Sequence, residues 1–210
     1  MKAIIISGAP HAWLDFTELK NSDLIIGVDR GAIILLNSGI IPAVAIGDFD
    51  SISDAEFDDL AKSGAQIIKL DSHKDETDTE VAILHAISLS IEHIEIYGAL
   101  GGRIDHSIAN IRLLLKFVKE GINIQLKDKT NSLQVLSPGT YEFEPVKSSY
   151  LSFFALEEAV ENLTLTGVKY PLKKYLLCQD DIRCTSNEVT ATTFGVAFSQ
   201  GFLLMIQSRD

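Results

Sequence analysis

Ala43-Val44-Ala45-Ile46-Gly47-Asp48-Phe49-Asp50-Ser51 is an apolar run that ends abruptly in two carboxylates. Its residues are apolar throughout rather than alternating, so the run predicts a strand covered on both faces, as in a parallel sheet. The same signature recurs near 3–6, 23–28, 66–70, 93–97 and 122–127, with helical stretches between. Ser53-Asp54-Ala55-Glu56 and Thr77-Asp78-Thr79-Glu80 both have the capping-box pattern of a helix start, and Gly64 stops the first of these helices. From His106 to Lys119, Ile108, Ile111, Leu114, Leu115 and Val118 make one helical face, with Gly121 after it. Alternating strands and helices predict an α/β domain with a parallel, Rossmann-like sheet.

Beyond Lys129 the pattern changes to short β-rich runs: 133–136, 140–143, 150–155, 163–166, 188–193, 194–199 and 202–207. Pro138-Gly139 and Gln200-Gly201 read as turns. This half predicts a small antiparallel β-sandwich. The expected domains are 1–127 and 128–210, divided in the polar stretch Lys127–Asn131.

Carboxylates follow the strands of the first half. Asp29 follows Leu24–Val28, Asp48 and Asp50 follow Ala43–Gly47, and Asp75 and Asp78 come shortly after Gln66–Leu70. Parallel strands share one carboxyl edge, where ligands bind, so these residues should meet. Such a group needs a cation, and hard ions such as Mg2+ prefer oxygen ligands. In extended backbone Asp48 and Asp50 project to the same side and could reach one ion. Asp50 alone reads equally well as a helix cap. Asp75 and Asp78, three apart at a helix start, would share a face; alone they are ordinary first-turn acids.

Gly98-Ala99-Leu100-Gly101-Gly102-Arg103-Ile104-Asp105-His106 follows another strand. Its glycines let the backbone approach a phosphate, and Arg103 offers a planar fork for phosphate oxygens. Neither the Gly-Lys-Ser/Thr phosphate loop nor the dinucleotide glycine fingerprint is present. Lys74 is a phosphate contact or a solvated charge. Thr185-Ser186-Asn187 and Tyr170-Pro171-Leu172 are unremarkable alone.

The formal charge of −11 argues against a nucleic-acid surface, which would need a basic patch. The apolar share of 46% is enough for a sizeable core, and no apolar stretch approaches the roughly 20 residues a membrane span needs. Cys178 and Cys184 lack zinc-type partners and read as reduced thiols, which suggests the cytoplasm.

Taken in order, Gly27-Val28-Asp29-Arg30-Gly31-Ala32, Gly47–Ser51, Lys74–Asp78, Gly101–His106 with Asn110, Gly167–Leu172 and Ser186-Asn187-Glu188 resemble bacterial thiamine pyrophosphokinases from about residue 20 to the C-terminus. The resemblance implies transfer of the terminal diphosphate of ATP to the thiamine hydroxyl, giving thiamine diphosphate and AMP. It implies a homodimer with active sites between subunits. It also implies Mg2+ on Asp48, Asp50 and Asp78, with Asp29 and Asp75 close by. Arg30, Lys74, Gly101, Gly102, Arg103 and His106 would face ATP. Tyr170, Ser186 and Asn187 would face thiamine. Asp29, Asp75 and Asp105 are candidate proton acceptors, and Arg103 a clamp on the migrating diphosphate. Met205 stands where the family's eukaryotic branch has a thiamine-stacking Trp. The alternatives are a non-catalytic thiamine or nucleotide binder, and another nucleotide-dependent phosphotransferase.

Overall fold

The computed structural model describes residues 1–9, 13–145 and 150–210, which fall into two compact units. The first comprises residues 1–113 and 121–129, the second residues 114–120 and 130–210.

Through residue 129, strand and helix alternate as β1 (Lys2–Ile6), α1 (Phe16–Lys20), β2 (Leu24–Val28), α2 (Arg30–Asn37), β3 (Val44–Gly47), α3 (Asp54–Lys62), β4 (Gln66–Lys69), α4 (Asp78–Ser88), β5 (His93–Tyr97), α5 (Ile104–Val118) and β6 (Asn123–Lys127), all in the first unit except the end of α5 from Leu114. The strands are parallel in the order β6-β5-β1-β2-β3-β4. Central β1 and β3 are buried almost throughout, as their unbroken apolar runs require, whereas β4 at the sheet edge is half-exposed. Ala45 of β3 packs with Ala32 and Ile33 of α2 and Leu60 of α3. Ser53 and Glu56 form both halves of the capping box that opens α3. Thr77 caps α4, its Oγ1 accepting the Glu80 N–H at 3.2 Å. The helix therefore begins at Asp78 and leaves Asp75 in the preceding loop, so the expectation that Asp75 and Asp78 share a helical face is corrected.

The second unit contains β7 (Asn131–Leu136), β8 (Gly139–Phe143), β9 (Tyr150–Ala155), β10 (Ala159–Thr166), β11 (Leu172–Cys178), β12 (Asn187–Glu188), β13 (Phe194–Phe198) and β14 (Leu203–Ser208). Antiparallel strands β12-β9-β14-β7 and β11-β10-β13-β8 enclose a common core of Phe153, Leu203 and Met205 from one group with Leu163, Leu165 and Val196 from the other. This is the expected sandwich. The sequence reading passes over β11. Its Lys173-Lys174 pair interrupts the apolar pattern, which an edge strand tolerates, and Lys174 has φ +49.

Candidate active site

The chain leaves β2 through a strained residue. Asp29 has φ +47, ψ −121, and its carbonyl receives the Ala32 N–H at 3.0 Å to start α2. The Asp29 side chain crosses the end of β3. A Cβ on Gly47 would lie 1.8 Å from Asp29 Oδ1, so only glycine permits that approach. Two residues on, Phe49 has φ +62, and its N–H donates to Asp29 Oδ1 at 3.2 Å. A bulky residue in that region is a genuine outlier costing on the order of 1–3 kcal/mol. Phe49 is nevertheless 6% exposed and packs edge-on against Phe57 of α3, with ring centroids 5.4 Å apart.

This knuckle gathers the carboxylates. Asp29, Asp48 and Asp78, from the ends of β2 and β3 and the start of α4, place carboxylate oxygens within 4.8 Å of one another. Asp50 lies outside this trio. The left-handed turn at Phe49 removes the extended geometry that would have aligned Asp50 with Asp48. Its N–H donates to Asp48 Oδ1 at 3.1 Å, and the Asp48 charge pushes its carboxyl up. Asp29 is pushed up to about 7, chiefly by burial and then by a hydrogen bond and repulsion from Asp78. Like charges so close share protons unless a cation enters. The donor set is all oxygen and suits a hard divalent ion.

Lys74 Nζ bonds Asp78 Oδ1. Both residues line a cavity of about 680 Å³ with Ser7, Asp29, Arg103 and His106. The loop of Gly101 (φ +90) and Gly102 (φ +68) forms one wall in conformations that suit glycine, and buried Asn110 donates to the Ala99 carbonyl at 2.8 Å behind it. Arg103 Nε donates to Asp105 Oδ1 at 3.1 Å, and that pairing holds the Asp105 carboxyl down at about 2. Asp75, Asp105 and Arg30 do not line the cavity. Arg30 Nη2 instead donates to the Ser51 carbonyl at 2.6 Å, tying α2 to the loop after β3.

Ser7 and Thr79 are cavity residues that the sequence reading does not select. Their hydroxyls are 3.1 Å apart. Ser7-Gly8 directly after β1 was the available signal, another polar step at a parallel strand's end.

In the second unit, buried Asn187 spends its amide on the backbone. Its Oδ1 accepts the Tyr170 N–H at 3.0 Å, and its Nδ2 donates to the Tyr170 carbonyl at 2.9 Å. It thereby holds out a Tyr170 side chain whose residue is 60% exposed. Ser186 is exposed with φ +58, its N–H donating to Ser152 Oγ at 3.0 Å. Tyr170, Thr185 and Asn187 border a cavity of about 360 Å³. Met205 is 1% exposed within the sandwich core, and so offers no surface on which a ligand could stack.

Residues 17–126 match the family model for the thiamin pyrophosphokinase catalytic domain, and residues 140–203 match the model for its vitamin B1 binding domain. The chain belongs to the thiamin pyrophosphokinase family. The thiamine pyrophosphokinase of Bacillus subtilis (strain 168) is 39% identical over the full length of both chains. A crystal structure of a thiamine pyrophosphokinase from Bacillus subtilis superposes with a TM-score of 0.93 at 38% identity, covering both chains completely. A family member from Enterococcus faecalis gives 0.92 at 32% identity, again over both full lengths. Yeast thiamin pyrophosphokinase shares the fold, with a TM-score of 0.84 at 15% identity over 99% of this chain and 86% of its own. In family terms, the carboxylate edge lies in the catalytic segment and Tyr170 and Ser186 in the vitamin-binding segment.

Proposed function

We infer that this chain is an ATP-dependent thiamine diphosphokinase that works with Mg2+. The thiamine hydroxyl oxygen forms a bond to the β-phosphorus of ATP. The bond between that phosphorus and the oxygen it shares with the α-phosphorus breaks, and AMP leaves with that oxygen. The hydroxyl proton passes to an acceptor. The observation that carries this reading is the trio Asp29, Asp48 and Asp78 beside a cavity walled by Lys74, Arg103 and the glycine loop.

The trio would hold Mg2+, with Asp50 in reach of it through Asp48. Bound there, the ion would neutralise charge on the phosphate oxygens. Diphosphoryl transfer otherwise depends on positioning and charge. Lys74, Arg103, His106 and the backbone of Gly101 and Gly102 would hold ATP. Arg103 would have to exchange Asp105 for phosphate as it does so. Asp105, held at about 2, is a poor proton acceptor, and Asp75 does not line the cavity. Asp29 is the carboxylate that holds a proton most readily while the ion is away. Tyr170 is the exposed aromatic offered to thiamine, Ser186 a polar contact, and Asn187 the residue that positions Tyr170.

The acidic surface would favour approach of the thiamine cation. A homodimer with active sites between subunits, the division of labour between domains 1–127 and 128–210, and a cytoplasmic setting are parts of the same proposal. The thiols of Cys178 and Cys184 are free, and no helix among the described residues is long and apolar enough to cross a membrane. A non-catalytic binder would have little use for a complete carboxylate trio.

Incubation with ATP, Mg2+ and thiamine should yield AMP and thiamine diphosphate in equal amounts. ADP with thiamine monophosphate, or no thiamine-dependent turnover, would overturn the reading. Asp48→Asn should fold normally and lose ~10²-fold or more in kcat.

A further inference from the structure

Lys74 stands where helix energetics would not put a cation. It precedes α4, whose N-terminus carries the positive end of the helix dipole. Its partner Asp78 is the first residue of that helix, so the ammonium is held close to the positive end. Yet the contact is well made. The two side chains are only 20% and 17% exposed, and the bonded carboxylate belongs to the trio proposed to hold the divalent ion. Here the ammonium supplies a positive charge that a metal-free trio lacks.

We propose that Lys74 is an internal substitute for the divalent ion. Its ammonium balances the trio while the ion is away. It swings to the nucleotide phosphates when the ion arrives. The inference rests on the metal reading given above. Ammonium and ion draw on the same Asp78 carboxylate and repel each other there, so arrival of the ion frees Lys74. The freed ammonium remains inside the cavity shared with Arg103 and His106, where an anion is its natural partner. Its four-carbon stem, mounted on a loop rather than on α4, provides the reach. Each ligand then improves the site for the other. The ion releases a phosphate-binding cation, and the phosphates draw away the ion's competitor. Reciprocal coupling of this kind is a thermodynamic necessity once one group serves both ligands.

Two affinities should move in opposite directions, whereas a fixed ion pair would alter Mn2+ binding alone, so an unchanged ATP affinity in the neutral variants would overturn the swing to the phosphates. Mn2+ serves as the spectroscopic probe, its binding followed by electron paramagnetic resonance without nucleotide, and ATP affinity is measured by calorimetry at saturating Mn2+. Lys74→Met should bind Mn2+ on the order of tenfold more tightly than wild type, as expected for removing a unit charge a few ångströms away. Its ATP affinity should fall about as much. Lys74→Arg should keep the wild-type pattern, and Lys74→Gln provides a second neutral variant if the Met protein folds poorly. Equal or weaker Mn2+ binding by the neutral variants, with wild-type binding still abolished by Asp48→Asn, would overturn the role of Lys74 and leave the metal site standing. If wild type shows no Mn2+ binding that depends on Asp48, the metal site falls and this proposal falls with it.

Discussion

Asp29 is raised to about 7 from the ordinary carboxylate value of 3.8, mainly because it is buried beside Asp78. The folded, metal-free protein therefore holds this proton more tightly than the unfolded chain does. The resulting stabilisation is complete below about pH 4 and is lost as pH rises through 7. A divalent ion supplies the missing charge and reverses the trend. Thermal melts in chelator should show a loss of stability between pH 5 and 8 that Asp29→Asn flattens. Added Mg2+ should stabilise wild type more at pH 8 than at pH 5. A metal effect equal at both pH values would remove Asp29 from the site. At this scale the sequence was partly legible. A carboxylate after an apolar run can be read directly from the residues. Which carboxylates meet depends on backbone torsions, and those of Asp29 and Phe49 are unusual. Asn187 shows the same limit: alone it is unremarkable, and the family resemblance implies a thiamine contact, whereas its buried amide bonds the backbone of Tyr170.

The turn between β3 and α3 acts as a unit. Burial of Phe49 against Phe57 offsets the cost of the left-handed backbone and fixes the direction in which Asp48 leaves the strand. Phe49→Ala should cost ~3 kcal/mol, the usual scale for emptying a buried aromatic site. Phe49→Gly empties the same site while removing the torsional strain. It should therefore be more stable than the Ala variant by ~1 kcal/mol, against the normal order of these residues. Chemical denaturation compares the two, and an Ala variant as stable as the Gly variant would refute the strain assignment. The strand starts and both helix caps were readable because they rest on local chemistry. β11 was not, because the lysines of an edge strand hide its apolar face.

At the scale of the molecule, the second unit is more than the C-terminal stretch. It takes in residues 114–120, where Phe117 is fully buried, Lys119 pairs with Glu157, and the Lys119 ammonium lies 5.1 Å from the centre of the Phe202 ring. A fragment of residues 128–210 lacks these partners. It should melt well below a fragment of residues 114–210 in circular dichroism, and equal melting would show that the short segment contributes nothing. Composition could place the change from α/β to β but could not reveal this addition, because Leu114–Glu120 continues the helical pattern of α5 without a break.

The carboxylate trio is drawn from β2, β3 and α4, so no contiguous peptide contains it in working form. It comes into being only when neighbouring parallel strands have found their register, and non-local pairing of that kind is intrinsically slow. An ion that requires all three oxygens has nothing to grip in the unfolded chain. It should consequently delay unfolding without hastening folding. The element needed for turnover would then also act as a clasp on the finished sheet, and depletion of the metal would shorten the lifetime of the native protein as well as silence it.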